Sequence, residues 1–254
     1  MPKTYSHSKL STFEQCRLKY KFKYVDKIKI ITKSIEALLG FCVHAVLEYL
    51  YNEVKTGRIP SIDEIITVYD TMWKENYDDN LIIIVRQGMT KEDYFNKGVQ
   101  FLVDYYTRHH PFDDNTLEIE KKVEIILDEE KQIKIIGYID RLVHNITTDE
   151  LEIHDYKTSN TLPIQEDIEN NRQLALYSIA IKEEFGHDKE VCLVWHFLAH
   201  NKKICSYRSR EQIELLKKEI LELISKIESE KFFQYNKTNL CDWCEYKAIC
   251  PAWS

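Results

Sequence analysis

Two acids and a lysine stand close together in the middle of the chain. Asp140 ends one short apolar run, and Asp155, Tyr156 and Lys157 lie in a second run beyond the polar turn 144–150. In a strand, side chains alternate between faces. Asp155 and Lys157 then share one side with Leu151 and Ile153, while Glu152, His154 and Tyr156 take the other. A hairpin would set Asp140 beside Asp155. Two neighbouring carboxylates repel unless positive charge sits between them. A hard divalent cation such as Mg²⁺ or Mn²⁺ fills that place. The chemistry that fits is phosphodiester hydrolysis, in which the cation activates a water and offsets phosphate charge while the lysine steers the attack or steadies the transition state. The stretch also reads as an ordinary charged hairpin, because motifs this short recur by chance.

A second set of candidates is sulfur. Residues 241–251 carry Cys241, Cys244 and Cys250 in the spacing Cys-x2-Cys-x5-Cys, with Pro251 directly after. Three thiols this dense in a reduced compartment point to metal and not to disulfides. They leave a tetrahedral or cubane site one ligand short, and Cys16 is the natural fourth. Four thiolates suit zinc and an iron–sulfur cluster alike. Cys42 and Cys192 sit in apolar runs and Cys205 lies next to one, so these three read as packing residues. His44 and Glu48 are one turn apart on a helix; a lone histidine there is more often structural.

These residues need elements to position them. Residues 8–24 read as a first helix bearing Cys16, with capping-box spacing at Ser11–Glu14 and Ser8 one turn earlier. A second helix spans 34–56, its Leu39, Val43, Val46, Leu47, Leu50 and Val54 on one face. Residues 61–110 read as helices broken near 81–90, with His109-His110-Pro111 as a helix end. Alternation over 117–128 predicts a half-buried strand, with Glu120 and Glu124 read on its solvated face in preference to pointing at the site as an extra acid. Strands follow over 132–143 and through 150–157, then a helix over 164–185. The apolar run 190–200 predicts a doubly buried strand. A strand over 203–208 and an amphipathic helix over 211–229 complete the reading.

The 254 residues suit one α/β domain with a sizeable core, spanning 1–254 with a helical insertion at 57–112. Six glycines and five prolines argue against long linkers, and no apolar run approaches the ~18 residues of a membrane span. The N-terminus lacks an apolar signal core, so a cytoplasmic location is expected. Net charge is −7, yet residues 17–33 hold seven Lys and Arg against Asp26, interleaved with Tyr20, Phe22 and Tyr24. That segment reads equally as a surface that tracks phosphates and stacks bases, or as a solvated lysine face.

Asp140 followed, after a hairpin, by Asp155-Tyr156-Lys157-Thr158 resembles the PD-(D/E)XK nuclease superfamily. The wording GYIDRL…IHDYKT is similar to its RecB-type exonuclease branch. Gly40-x3-His44-x2-Leu47-Glu48 resembles that branch's metal-binding histidine motif, and Gln173-x3-Tyr177 its pair beside the active centre. One cysteine before the core and three after it resemble AddB-type and CRISPR-associated RecB-like nucleases. The resemblance spans Cys16 to Cys250. It implies a mixed central β-sheet flanked by helices, a restriction-endonuclease-like core. It implies that His44, Asp140, Asp155 and the Tyr156 carbonyl hold Mn²⁺ or Mg²⁺, that Lys157 is catalytic, and that Gln173 and Tyr177 position substrate or water. It further implies a [4Fe–4S] cluster on Cys16, Cys241, Cys244 and Cys250, zinc being the alternative, that staples the tail to the first helix. The expected activity is exonucleolytic, on single-stranded DNA or duplex ends, in recombination, repair, phage DNA processing or CRISPR adaptation. The chain has no phosphate-binding loop ending in Gly-Lys-Ser/Thr, so a helicase or CRISPR adaptation partner would supply the motor. A structure- or sequence-selective endonuclease and a non-catalytic scaffold are the other readings.

Overall fold

In the computed structural model, which describes residues 3–253, capping side chains mark where most of the helices begin. After β1 (Lys3–Tyr5), Ser6 accepts the Lys9 N–H and starts α1 (His7–Gln15). The helix stops at Cys16, whose backbone is extended at φ −161° and ψ 113°, and the chain resumes as α2 (Arg17–Tyr20) and a π-helical turn (Lys21–Val25). Cys16 is thus in a break between helices, a correction to the single helix expected over 8–24. The C-terminal tail is the reason. The Leu18 N–H bonds the Gln234 carbonyl at 3.2 Å, and the Asn236 N–H approaches the Cys16 sulfur at 3.5 Å.

Ser34 ends β2 (Lys33–Ser34) and caps α3 (Ile35–Lys55). Ser61 caps α4 (Ile62–Asn76), β3 (Ile82–Ile83) pairs with β2, and a Thr90–Asp93 capping box starts α5 (Lys91–His109). Three long strands follow: β4 (Thr116–Asp128), β5 (Ile133–Asn145) and β6 (Glu150–Lys157). The helix expected over 164–185 is split into α6 (Gln165–Glu169) and α7 (Arg172–Phe185). Asn171 makes the split, because its side chain accepts the Gln173 N–H and so favours a helix start over helix continuation. Beyond lie β7 (Val191–Phe197), β8 (Lys202–Ser206) and α8 (Arg210–Ser229), the last opened by a Ser209–Gln212 capping box.

Among the described residues, six strands form the main sheet, in the order β1-β5-β6-β7-β8 with β4 on the other edge of β5. It is mixed: β6 and β7 run parallel across the helical crossover, and the β4–β5, β5–β6 and β7–β8 pairs are antiparallel. Helices cover both faces. One core joins Leu151, Ile153, Leu193 and Trp195 of the sheet to α1, α7 and α8. The other joins Tyr156 and Leu198 to α3, α4 and α5. Every residue of β7 is buried, as its unbroken apolar run requires. Cys205 is exposed, not packed inside, because β8 is the last strand of the order and its outer positions meet solvent.

One edge of β5 is shared. β1 pairs with residues 133–135 and β6 with residues 141–145. Residues 136–140 between them have no strand partner on that side, and the candidate site opens there.

Candidate active site

The β5–β6 ladder ends at Arg141 opposite His154. The next residues, Asp140 and Asp155, stand where the strands part. Asp140 Oδ2 accepts the Tyr156 N–H at 2.9 Å, so a side chain replaces the missing ladder bond. From α3, His44 Nε2 donates to the Tyr156 carbonyl at 2.7 Å, and its Nδ1 lies 3.4 Å from Asp140 Oδ2. The backbone of Tyr156 is therefore held on both sides by residues the sequence singles out. Lys157 Nζ lies 2.7 Å from Asp155 Oδ2. Gln173, in the first turn of α7, accepts from Lys157 Nζ and donates to Asp155 Oδ1, each at 3.2 Å. One turn on, the Tyr177 ring lies against Gly137. A Cβ on Gly137 would overlap that ring, which is why the unpaired edge of β5 carries a glycine.

Two carboxylates, Lys157 and His44 share the charge at the site. Burial raises the Asp155 carboxyl and the Asp140 charge adds to it, against the pull of Lys157. Burial pulls the His44 ring down, but the hydrogen bond to Asp140, the charges of Asp140 and Asp155, and the Tyr156 carbonyl outweigh it and push it up to about 9. A proton on His44 supplies the positive charge that two carboxylates at one place demand.

Two residues near the site, Glu120 and His7, carry signals the sequence gave weakly or not at all. Glu120 keeps the exposed side of β4 that alternation gave it, and from there it lines a small pocket with His44, Glu48 and Asp140. Its backbone is left-handed at φ 48°, and its carboxyl lies close enough to Asp140 to feel that charge. Burial, followed by the charges of Asp140 and Glu48, raises its pKa. Glu124 also remains outside, paired with Lys134 at 2.9 Å. His7 on α1 is the second neighbour: burial, then the charges of Arg172 and Lys157, lowers it to about 4. No spacing rule connects residue 7 to residue 157.

A family model described as "PD-(D/E)XK nuclease superfamily" matches residues 4–251. The chain belongs to the PD-(D/E)XK nuclease superfamily. A crystal structure named "Putative exonuclease", from Eubacterium rectale, aligns over 96% of this chain and 87% of its own, at 10% identity and a TM-score of 0.51. That likeness is one of fold: a mixed sheet flanked by helices, consistent with a restriction-endonuclease-like core. A crystal structure named SSO0001 aligns over 94% of this chain and 95% of its own, at 15% identity and a TM-score of 0.40. No curated protein matches the sequence.

PD-(D/E)XK nucleases use divalent metals such as Mg²⁺ or Mn²⁺. Among the described residues, no group of three or more His, Cys, Asp or Glu side chains is spaced to hold a metal ion. His44 closes directly on the Tyr156 carbonyl instead. The donor set nonetheless fits a hard cation. Asp140 and Asp155 set carboxylate oxygens at one place, and buried Asp155 Oδ2 has Lys157 Nζ, at 2.7 Å, as its donor among the described residues.

Four of the seven cysteines of this nuclease come together at the tail. Cys16, Cys241, Cys244 and Cys250 line one cavity of about 160 Å³ between the α1–α2 break and the last turns of the chain. The Thr238 N–H points at the Cys241 sulfur at 3.3 Å, as the Asn236 N–H does at Cys16. Backbone donors aimed at sulfur suit thiolates. The donors fit a four-sulfur metal group, although the sulfurs are not drawn in to coordination spacing.

Behind the site, the other face of β6 is a closed polar network. Arg141, 1% exposed, donates to Tyr156 Oη at 3.0 Å, to Thr116 at 3.1 Å, to Asp114, and to His154 Nδ1 at 2.9 Å. A guanidinium has no acceptor, so Nδ1 of His154 is unprotonated and its Nε2 donates to Glu152 at 2.8 Å. His196 Nε2 approaches the same Nδ1 at 2.9 Å. The Tyr156 hydroxyl continues to Tyr105 at 3.2 Å, and Tyr105 to Tyr51 at 2.6 Å. The residue whose backbone joins His44 to Asp140 is thus anchored from behind by α3, α5 and β5.

Proposed function

We propose that this nuclease is a metal-dependent deoxyribonuclease of the RecB-like, AddB-type and CRISPR-associated branch, acting as an exonuclease on single-stranded DNA or duplex ends. The observation that carries this reading is the meeting of Asp140, Asp155 and Lys157 where β5 and β6 part, with Gln173 bridging the last two. His44, Asp140, Asp155 and the Tyr156 carbonyl would hold Mn²⁺ or Mg²⁺, and a histidine ligand favours Mn²⁺ more than an all-oxygen set does. When bound, that ion supplies an activated water and neutralises charge on the phosphate.

The chain's own residues do the rest. Lys157, with a third of its side chain exposed, presents its ammonium at the edge of the carboxylates, where it orients the attacking water and faces the developing phosphorane charge. Gln173 fixes the lysine against Asp155 and limits the rotamers it can take. Tyr177, lying over Gly137, walls the open edge of β5. Cys16, Cys241, Cys244 and Cys250 would hold a [4Fe–4S] cluster, zinc being the alternative, and would staple the tail to the α1–α2 break. A helicase, recombination or CRISPR adaptation protein in the cytoplasm is the partner class that fits a nuclease without a motor.

The test combines two measurements on one preparation purified without air. Brown colour with broad visible absorption, together with bound iron and sulfide, supports the cluster; colourless protein with stoichiometric zinc replaces it. Incubation with Mn²⁺ or Mg²⁺ and end-labelled single-stranded DNA then reads cleavage. Loss of cleavage in Lys157→Ala with binding retained supports the enzyme. Absence of cleavage by the unmutated protein with either metal leaves a binding scaffold.

A further inference from the structure

Away from the carboxylates, a cleft of about 700 Å³ opens between segment 27–34 and tail residues 242–246. The tail forms its wall in a fixed position. Tyr246 Oη donates to the Ile28 carbonyl at 3.0 Å, and the Tyr246 and Phe22 rings pack at 5.5 Å. The acids of that wall are already answered. Lys19 and Lys23 take Glu245 at 2.8 and 3.7 Å, and Lys247 takes Asp242 at 2.7 Å. Lys27, Lys29 and Lys33 line the opposite wall, and among the described residues none of the three has an ion-pair partner. A chain of net charge −7 therefore holds a local stripe of free ammonium groups.

The cleft points toward the candidate site. Its floor includes Ala37 in the first turns of α3. Ala37, Phe41 and His44 follow at spacings of four and three, so they form one row on that helix. Seven residues at ~1.5 Å each place the cleft floor about 10 Å from His44 along the axis. Phe41 lies between them and is 51% exposed, an aromatic ring left on the surface of a helix whose other large apolar side chains are mostly buried. Beside it, Gly40 comes so close to Thr158, the residue after Lys157, that a Cβ there would stand 3.3 Å from the Thr158 hydroxyl. Cleft, ring and catalytic strand are thus contiguous.

We propose that this row is the entry path of a single-stranded nucleic acid, with backbone phosphates on Lys27, Lys29 and Lys33 and an unpaired base stacked on Phe41 before the strand reaches the carboxylates. The destination rests on the nuclease reading; the path does not. Three free lysines select a polyanion. An exposed ring on the way selects unpaired bases, because stacked bases in a duplex offer no free face. The tail then has a binding role besides holding metal: it builds one wall of the path.

The experiment is fluorescence anisotropy in EDTA with a labelled oligothymidylate and a blunt duplex of equal length, so that no cleavage occurs. The wild-type protein is expected to prefer the single strand. The triple variant Lys27→Gln, Lys29→Gln, Lys33→Gln is expected to lose at least about tenfold in affinity, with the slope of log K against log salt shallower by about 2, at ~0.7 per phosphate contact. Phe41→Ala should weaken the single strand by about tenfold and leave the duplex unchanged. Lys218→Ala on α8 is the control, and unchanged melting curves show that each variant folds. Wild-type affinity and slope in the triple variant, an equal effect of Phe41→Ala on strand and duplex, or no binding of the oligonucleotide by wild type overturns the proposal. Binding through these residues by a protein that cleaves nothing with Mn²⁺ or Mg²⁺ leaves the path standing and removes the nuclease reading. Cleavage by a triple variant that binds like wild type does the reverse.

Discussion

Alternate residues of β6 face two different kinds of polar interior. On one side Asp155 and Lys157 meet Asp140, His44 and Gln173. There the buried Asp155 carboxylate is met by Lys157, whose side chain is a third exposed and reaches toward solvent. On the other side Glu152, His154 and Tyr156 meet Arg141, Asp114 and His196, and the groups form a continuous chain of donors and acceptors. Burial of charge is common to both. The difference is access: the closed network is shut in and holds the strand in place, whereas the open one ends on a lysine that solvent and a ligand can reach.

The comparison can be broken most sharply on the open face. Lys157→Ala or Asp155→Asn is expected to lower cleavage of end-labelled DNA by about 10²–10⁴-fold, with a melting temperature close to wild type. A variant that keeps most of its cleavage would remove the open face from the chemistry. The closed face should respond in the opposite way. Arg141→Ala removes the buried guanidinium shared by Asp114, the Tyr156 hydroxyl and His154 Nδ1, so a stability loss of about 3–5 kcal/mol is expected in urea denaturation. A wild-type urea midpoint would show that the network is not what anchors β6.

Smaller changes sharpen the boundary between the faces. Gly137→Ala drives a methyl group into the Tyr177 ring, and overpacking of this kind costs about 1–3 kcal/mol. Because Tyr177 walls the site, cleavage should fall along with the urea midpoint. The smallest effect is in pH. Burial, then the positive charges of Arg141, Lys203 and Arg108, lowers His109 behind the network to about 4, from 6.5. Above 6.5 the ring is neutral in both folded and unfolded chains. Between 6.5 and about 4 the unfolded chain takes up a proton that the folded chain refuses, so stability declines as pH falls through that window. His109→Asn should flatten this decline in urea midpoints measured at pH 7 and pH 5; an unchanged slope would show that the ring is not held neutral.

Much of the candidate site was legible because it follows from short-range rules. Alternation put Asp155 and Lys157 on one face and Tyr156 on the other, and a hairpin of ordinary length brought Asp140 beside them. Helical spacing placed Gln173 and Tyr177 on one side of α7. The misses share a cause. Cys16 leaves its helix for bonds offered by a tail more than two hundred residues away, and Asn171 interrupts a helix because its side chain takes a backbone N–H. Glu120 kept its exposed side, but the pocket it lines with His44 and Asp140 needs α3 beside the strand, which a two-residue period cannot express. Cys205 is exposed because of where its strand lies in the sheet.

By itself the sequence determined the elements, the faces of each strand and the residue types at the site, because hydrophobic period, capping groups and hairpin length act within a few residues. Only the tertiary structure decided that β5 and β6 part at Asp140 and Asp155, that His44 grips the Tyr156 carbonyl, and that Arg141 braces the same residue from behind. Those outcomes depend on which groups distant in the chain arrive to satisfy a backbone N–H, a carbonyl or a buried charge.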